Sequence, residues 1–173
     1  MTTASVRLPA ASPFPALTWS RTDGGSLNPA AMEGWRLLVI YRGAHCPLCR
    51  SYLKTLERLQ AGFAEAGIAV AALSSDPGER ASKEASEEGW TFPVGYDLSQ
   101  AEMRQLGLYV SSPRSPEETD RNFAEPGLFV INPEGAIQIV DVSNAPFARP
   151  DLEGLLNGLK FIIAKDYPIR GTA

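Results

Sequence analysis

The chain has 173 residues, 44% of them hydrophobic and 21% charged, which suits one globular domain with a core of its own. Its net charge of −4, without clustered Lys and Arg, argues against a nucleic-acid surface, so we expect small-molecule or protein partners. No apolar run reaches the roughly 20 residues that span a bilayer, and no signal-peptide pattern opens the chain, so we expect a cytoplasmic protein without membrane contact.

The first half of the chain predicts a β-α-β unit. Residues 1–15 are rich in Ala, Ser and Pro and predict an extended arm, which is followed by a short hairpin around a turn at 23–25. The apolar run 37–41 predicts a strand, and the helical spacing of apolar residues over 47–66 predicts the helix after it. The unbroken apolar run 68–73 is typical of an interior parallel strand, which makes that helix a crossover connection.

The second half predicts alternating helices and strands around one polar loop. The loop covers residues 111–122, which we interpret as a flap over the functional site. Glu84, Glu87 and Glu88 predict a solvated helix face. The order β, α, β, α, then ββα predicts an α/β fold, a mixed sheet with helices on both faces. The predicted elements are helices at 77–89, 99–106 and 150–165 and a hairpin of strands at 128–131 and 136–142.

Both cysteines of the chain lie in the tetrad Cys46-Pro47-Leu48-Cys49, where the first strand turns into the first long helix. Pro47 suits the first helical position, so Cys46 becomes the N-cap, close to unpaired amides and to the positive end of the helix dipole. Such surroundings lower a thiol pKa from about 8.5 and favour the thiolate. Cys49 lies one turn further on nearly the same face, within reach of a disulfide. Because structural disulfides are rare in the cytoplasm, the pair predicts redox chemistry.

Two neighbours of the dithiol are candidate site residues. Arg42 either stabilises the Cys46 thiolate or is a surface charge at the end of a strand. His45, the only histidine, would stabilise the thiolate as a cation or relay a proton as a neutral base, and the equal alternative is a solvated elbow residue. We expect no cofactor, and a closed zinc site is disfavoured because it needs four ligands. The aromatic residues that either line the site or belong to the core are Trp35, Tyr52, Trp90 and Phe92.

At this level the chain resembles the thioredoxin-like superfamily and, within it, the peroxiredoxin-like proteins of the alkyl hydroperoxide reductase and thiol-specific antioxidant type. The resemblance covers nearly the whole chain and implies a thioredoxin-like fold. It rests on Tyr41-Arg42-Gly43 before the dithiol, on Phe92-Pro93-Val94 followed by Asp97, and on Leu128-Phe129-Val130-Ile131-Asn132-Pro133-Glu134-Gly135. It implies that Cys46 is the peroxidatic and Cys49 the resolving cysteine.

Three positions depart from the family pattern. Gly43 stands where peroxiredoxins usually have a Thr or Ser whose hydroxyl helps to hold the peroxide. The family arginine before the late hairpin is missing, and Arg42 and Arg121 are the candidates to replace it. Pro126 instead resembles the cis-proline that thioredoxins place opposite their dithiol.

Three functions follow from these features. The first is a thiol peroxidase that reduces hydrogen peroxide or an organic hydroperoxide, with a thioredoxin- or glutaredoxin-type electron donor. The alternative is a thiol–disulfide oxidoreductase that acts on protein disulfides, which Pro126 and the absent hydroxyl favour. The third is a redox-sensing binding protein whose disulfide alters the 111–122 loop. The family resemblance also leaves a homodimer open.

Overall fold

The computed structural model describes residues 6–173, which build a five-stranded mixed sheet with helices on both faces. In chain order the elements are β1 (Trp19–Ser20), β2 (Ser26–Leu27), β3 (Trp35–Ile40), α1 (Pro47–Glu65), β4 (Ile68–Leu73), α2 (Gly78–Glu88), β5 (Val94–Gly95), α3 (Gln100–Gln105), β6 (Val110–Ser111), β7 (Phe123–Ala124), β8 (Gly127–Ile131), β9 (Ile137–Val142) and α4 (Leu152–Lys165).

The strand order β5-β4-β3-β8-β9 puts β3 at the centre of the sheet. β3 pairs in parallel with β4, where Leu37 faces Val70, and antiparallel with β8, where Leu37 faces Val130. A central strand covered on both faces needs apolar side chains at every position, which explains the unbroken run that begins at Leu37. The predicted β-α-β unit is therefore confirmed, and α1 is its crossover.

Alternate side chains of β3 enter two separate cores. Leu37 and Val39 pack on the face covered by α1, α2 and α4, where apolar residues at helical spacing such as Leu53 and Leu56 are fully buried. Leu38 and Ile40 pack on the other face, beneath α3 and the β1–β2 hairpin. Burial of a side chain such as Leu56 contributes roughly 2 kcal/mol. The predicted α/β, thioredoxin-like fold is confirmed.

The N-terminal arm and the polar loop are both attached to the body of the protein. Residues 1–5 of the predicted arm lie outside the described residues, whereas Pro13 bridges to Ala136 and Phe14 is buried in the core. The polar loop is the connection of a small hairpin, since β6 pairs antiparallel with β7. We refer to residues 112–122 as the flap.

The prediction that Glu84 lies on a solvated face is wrong, because this side chain is only 6% exposed. Ala81 and Ala85 lie beside it on the inner face of α2. Glu84 therefore belongs to the face of α2 that packs inward, where Ala85 joins the core, and this packing excludes solvent from its carboxyl group.

The interpretation of Pro126 as a cis-proline is also wrong, because no peptide bond in residues 6–173 is cis. The Glu125 amide donates to the Tyr109 carbonyl at 2.9 Å, and the Ser143 amide donates to the Pro126 carbonyl at 3.0 Å. These two bonds hold the chain extended from β7 into β8, which a trans peptide allows.

Candidate active site

The dithiol lies where the chain leaves the central strand and enters α1. Cys46 is the N-cap in an extended conformation, and Pro47 follows at the first helical position. The Cys49 backbone amide donates to the Cys46 Sγ at 3.3 Å, so the sulfur takes the place of a capping oxygen. The predicted capping geometry is confirmed. Both cysteines are free thiols.

The pKa values of the two thiols are shifted in opposite directions. A hydrogen bond from the Cys49 thiol, with smaller contributions from the Cys49 amide and the charges of Arg42 and Arg149, lowers the pKa of Cys46 to about 6, against the effect of burial. The hydrogen bond to Cys46, together with burial, raises the pKa of Cys49 far above its ordinary value. At neutral pH the pair therefore holds one thiolate, on Cys46, and one thiol, on Cys49.

Arg42 is held in place by a buried carboxylate. Its Nε and Nη2 donate to the two carboxylate oxygens of Glu125 at 2.8 and 2.9 Å, a two-point contact that fixes the guanidinium plane. Glu125 also accepts from the Ser111 hydroxyl at 2.6 Å, and Arg42 lies 5.4 Å from the centre of the Phe123 ring. Glu125 raises the pKa of Arg42, so the cation beside Cys46 is permanent.

Arg149, which the sequence analysis did not single out, is a second cation near the dithiol. It lies in the loop between β9 and α4, stacks 4.2 Å above the Tyr52 ring and donates from Nε to the Pro146 carbonyl at 2.7 Å. Its buried Nη1 has no hydrogen-bond partner in the part of the chain that the structure describes. The charge of Arg149 lowers the pKa of both Cys46 and Cys49. No local sequence pattern predicts a role for this residue at the site, because Arg149 comes close to α1 only when α4 packs against the rest of the protein.

His45 lies at the elbow between β3 and α1 with its ring against Phe123, at 4.6 Å between ring centres. Both ring nitrogens are buried, and neither has a hydrogen-bond partner among the described residues. Burial lowers the pKa of His45, although the charges of Asp76 and Glu118 oppose that effect, so the imidazole is neutral at pH 7. Of the two roles considered for a histidine here, the geometry favours an uncharged donor or acceptor over a cation.

A cavity of about 470 Å³ opens beside Cys46. Cys46, Arg42 and His45 line it together with the first turn of α1, the flap and Pro146. The flap therefore borders the same cavity as Cys46. The flap residues that line the cavity are Arg114, Ser115, Glu117 and Glu118.

Of the two arginines considered as substitutes for the family residue, only Arg42 lies on this cavity. Arg121 instead contacts Asp120, Asp97 and the Ser75 carbonyl at the base of the flap. Among the aromatic candidates, Tyr52 stacks under Arg149 and packs against the core cluster that includes both cysteines.

The other three aromatic candidates, Trp35, Trp90 and Phe92, belong to the core beneath α1 and α2. Within residues 6–173 no group of three or more His, Cys, Asp or Glu side chains is arranged to hold a metal ion.

Gly43 begins the elbow with φ of +133°, a conformation that favours glycine. A Cβ at this position would lie 2.7 Å from the Asp76 Oδ1, so there is no room for a threonine or serine side chain. The Ala44 amide donates to the Asp76 Oδ2 at 2.7 Å. The hydroxyl that the family pattern places here is absent, and a buried carboxylate occupies the space.

The central strand of the mixed sheet leads into a helix that is capped by an ionised cysteine, and a second cysteine follows one turn later. This arrangement defines a thioredoxin-like dithiol protein. The chain belongs to the AhpC/TSA family, whose model matches residues 10–140. The predicted family resemblance is confirmed. No curated protein sequence matches the chain. In residues 6–173 no helix combines the length and apolar character that crossing a membrane requires.

Solved structures of peroxiredoxins share the fold at low sequence identity. The peroxidoxin BcpB of Mycobacterium tuberculosis is 18% identical with a TM-score of 0.75, over 90% of this chain and 99% of that one. A peroxiredoxin 6 of Arenicola marina is 17% identical with a TM-score of 0.75, over 92% and 76% of the two chains. The bacterioferritin comigratory protein of Xanthomonas campestris, described with an alkyl peroxide reduction activity, is 21% identical with a TM-score of 0.69, over 88% and 98%.

Proposed function

We propose that the chain is a peroxiredoxin-like thiol peroxidase that reduces hydrogen peroxide or an organic hydroperoxide through a dithiol–disulfide cycle of Cys46 and Cys49. The observation that carries this proposal is the low pKa of Cys46, about 6, in a thiol that lines an open cavity beside a fixed cation. A thiolate is the nucleophile that attacks a peroxide, and at pH 7 this one is ionised.

The cycle has three steps. The Cys46 thiolate attacks one peroxide oxygen, the O–O bond breaks, and the alcohol or water that leaves takes up a proton while Cys46 becomes a sulfenic acid. The Cys49 sulfur then attacks Cys46, an S–S bond forms, and the sulfenic oxygen leaves as water with the proton of Cys49. An external dithiol reduces the disulfide by thiol–disulfide exchange and is itself oxidised to a disulfide.

The neighbouring residues have distinct roles in this proposal. Arg42 stabilises the thiolate and the developing negative charge on the leaving oxygen, and Glu125 fixes its orientation. His45 lines the cavity, and in this proposal its ring nitrogens, which are buried and have no hydrogen-bond partner among residues 6–173, become accessible when the peroxide binds, orient it and pass the proton to the leaving group. Pro47 starts the helix that activates Cys46, and Gly43 allows the elbow to adopt its conformation.

Replacement of each cysteine tests the proposal. In Cys46→Ser, peroxide consumption is abolished, because no nucleophile remains on the cavity. In Cys49→Ser, one equivalent of peroxide is consumed and a sulfenic acid accumulates, which a dimedone adduct detects by mass spectrometry. Full multiple-turnover activity in Cys46→Ser would contradict the assignment of Cys46 as the peroxidatic residue.

A thiol–disulfide oxidoreductase is the second candidate function, since the Cys-x-x-Cys spacing suits disulfide exchange and Gly43 supplies no hydroxyl to a peroxide. Stopped-flow tryptophan fluorescence of the reduced protein with hydrogen peroxide separates the two functions. Oxidation at least about a thousandfold faster than that of a free thiol identifies a peroxidase. The rate of an ordinary thiol, together with rapid reduction of a protein disulfide, identifies an oxidoreductase.

A redox-sensing binding protein is the third candidate, and the flap wall over Cys46 favours it. This function requires slow turnover and a large change in flap protease sensitivity on oxidation. We further propose a thioredoxin- or glutaredoxin-type donor, a cytoplasmic location in keeping with two free cysteines, and a single functional unit over residues 1–173. A homodimer is compatible with this proposal, and sedimentation of the reduced protein tests it.

A further inference from the structure

Asp76, in the loop between β4 and α2, is a buried carboxylate in direct contact with the elbow that carries Cys46. Its side chain is only 2% exposed, and it packs on Gly43 so closely that a Cβ there would meet all three carboxylate atoms within 2.9 Å. Its Oδ2 accepts the Ala44 amide at 2.7 Å. This bond satisfies a backbone donor two residues before Cys46, a donor that would otherwise cost about 1–3 kcal/mol.

The other oxygen of Asp76 leads to the flap. Arg80 Nη1 donates to Asp76 Oδ1 at 3.2 Å, to the Thr119 hydroxyl at 3.3 Å and to Asp120 Oδ1 at 3.1 Å. One guanidinium therefore joins the elbow carboxylate to the base of the flap. Residues of the elbow and of the flap both line the cavity beside Cys46, and this network is attached to both segments.

We propose that Asp76 is a positioning residue for the peroxidase reaction: one carboxylate oxygen holds the elbow so that Cys46 stays at the N-cap of α1, and the other, through Arg80, holds the flap over the cavity. The role in the reaction rests on the proposed function. Its structural content concerns the reduced protein alone, and it can therefore fail independently of that function.

The two oxygens of Asp76 can be tested separately, because asparagine keeps one acceptor and alanine keeps none. In Asp76→Asn the remaining side-chain carbonyl oxygen accepts the Ala44 amide. The new side-chain NH2 group faces Arg80, and because both groups are donors, that hydrogen bond is lost. In Asp76→Ala both contacts are lost. A purely electrostatic role of Asp76 would affect Cys46 equally in both variants, because each removes the same negative charge.

The first measurement is the rate of iodoacetamide alkylation of Cys46 against pH, on reduced protein without peroxide. We expect Asp76→Ala to react about fivefold more slowly than Asp76→Asn at pH 6, the size of effect expected when an N-cap is loosened. Equal rates in the two variants would overturn the elbow role. If Asp76→Ala does not fold, a Cys46 pKa that rises in Asp76→Asn would overturn it instead.

The second measurement is limited trypsin cleavage after Arg114 and Arg121, the two tryptic sites inside the flap. We expect cleavage about fivefold faster in both Asp76→Asn and Arg80→Gln, because two ion pairs at the flap base are lost or weakened. Lys83→Gln is the matched control, since Lys83 lies on the same helix and its one ion pair within residues 6–173 is with Glu87. Flap cleavage at the wild-type rate in Arg80→Gln would overturn the flap role.

Discussion

Replacement of Cys49 by alanine tests the origin of the reactive thiolate. The largest contribution to the low pKa of Cys46 is the hydrogen bond from the Cys49 thiol, ahead of the Cys49 amide and the charge of Arg42. Cys49→Ala removes the thiol donor and keeps the amide, which donates to Cys46 Sγ at 3.3 Å. Cys49→Ser is the matched control, because its hydroxyl still donates.

The structure sets the size of the effect. A hydrogen bond to a charged group contributes about 1.5–3 kcal/mol, and 1.36 kcal/mol corresponds to one pH unit, so the midpoint of Cys46 ionisation rises by about 1–2 pH units in Cys49→Ala. The remaining amide bond and the charges of Arg42 and Arg149 keep the midpoint below that of a free thiol. In Cys49→Ser the rise is less than half as large.

Two assays follow the ionisation of Cys46 directly. Thiolate absorbance at 240 nm gives the midpoint in each variant, and the pH dependence of alkylation by iodoacetamide gives it independently. Fluorescence or circular dichroism at each pH confirms that the protein stays folded. A Cys49→Ala midpoint equal to that of the wild type would refute the reasoning, and so would a Cys49→Ser midpoint as high as that of Cys49→Ala.

Three further substitutions test other parts of the structure. Burial raises the pKa of Glu84 to about 7 from 4.5, so its contribution to stability is full below pH 4.5 and is lost as the pH rises through 7. In urea denaturation the wild type and Glu87→Gln, an exposed control, lose about 3 kcal/mol over this pH range, and Glu84→Gln does not. An equal loss in Glu84→Gln and Glu87→Gln would argue against this role of Glu84. Arg36 is buried and donates to the carbonyls of three loop residues at 2.6–2.9 Å. Arg36→Met therefore lowers the free energy of unfolding by about 2–4 kcal/mol in the same assay. A decrease of less than about 1 kcal/mol would contradict this account. Gly43→Ala forces a side chain into an occupied space at φ of +133° and destabilises the protein by about 1–3 kcal/mol; an unchanged midpoint of thermal unfolding would show that the elbow tolerates a Cβ.

Local signals in the sequence predicted the framework of the site correctly. The apolar run before the elbow, the helical spacing after Pro47 and the unbroken run at 68–73 specify β3, α1 and β4, because periodicity and strand burial are properties of neighbouring residues. The same segment predicted Cys46 as an N-cap, since a proline at the first helical position fixes where the helix begins. Capping geometry is encoded within a few residues.

Partners far apart in the chain could not be predicted in this way. Arg42 and Glu125 are 83 residues apart and meet only because β3 and β8 are neighbours in the sheet. Arg149 comes near α1 only in the folded chain, and the burial of Glu84 depends on which face of α2 packs inward. Sequence patterns report which face of an element is apolar, but not what packs against it.

The sequence by itself therefore determined the fold class, the position of the dithiol at the start of a helix and its redox character. The tertiary structure alone decided which charges surround the thiolate, that Pro126 is trans and that Asp76 fills the space in front of Gly43. The physical reason is the distance along the chain over which each kind of interaction acts. Backbone propensity and capping act over a few residues, whereas electrostatics and packing act between groups that only the completed fold brings together.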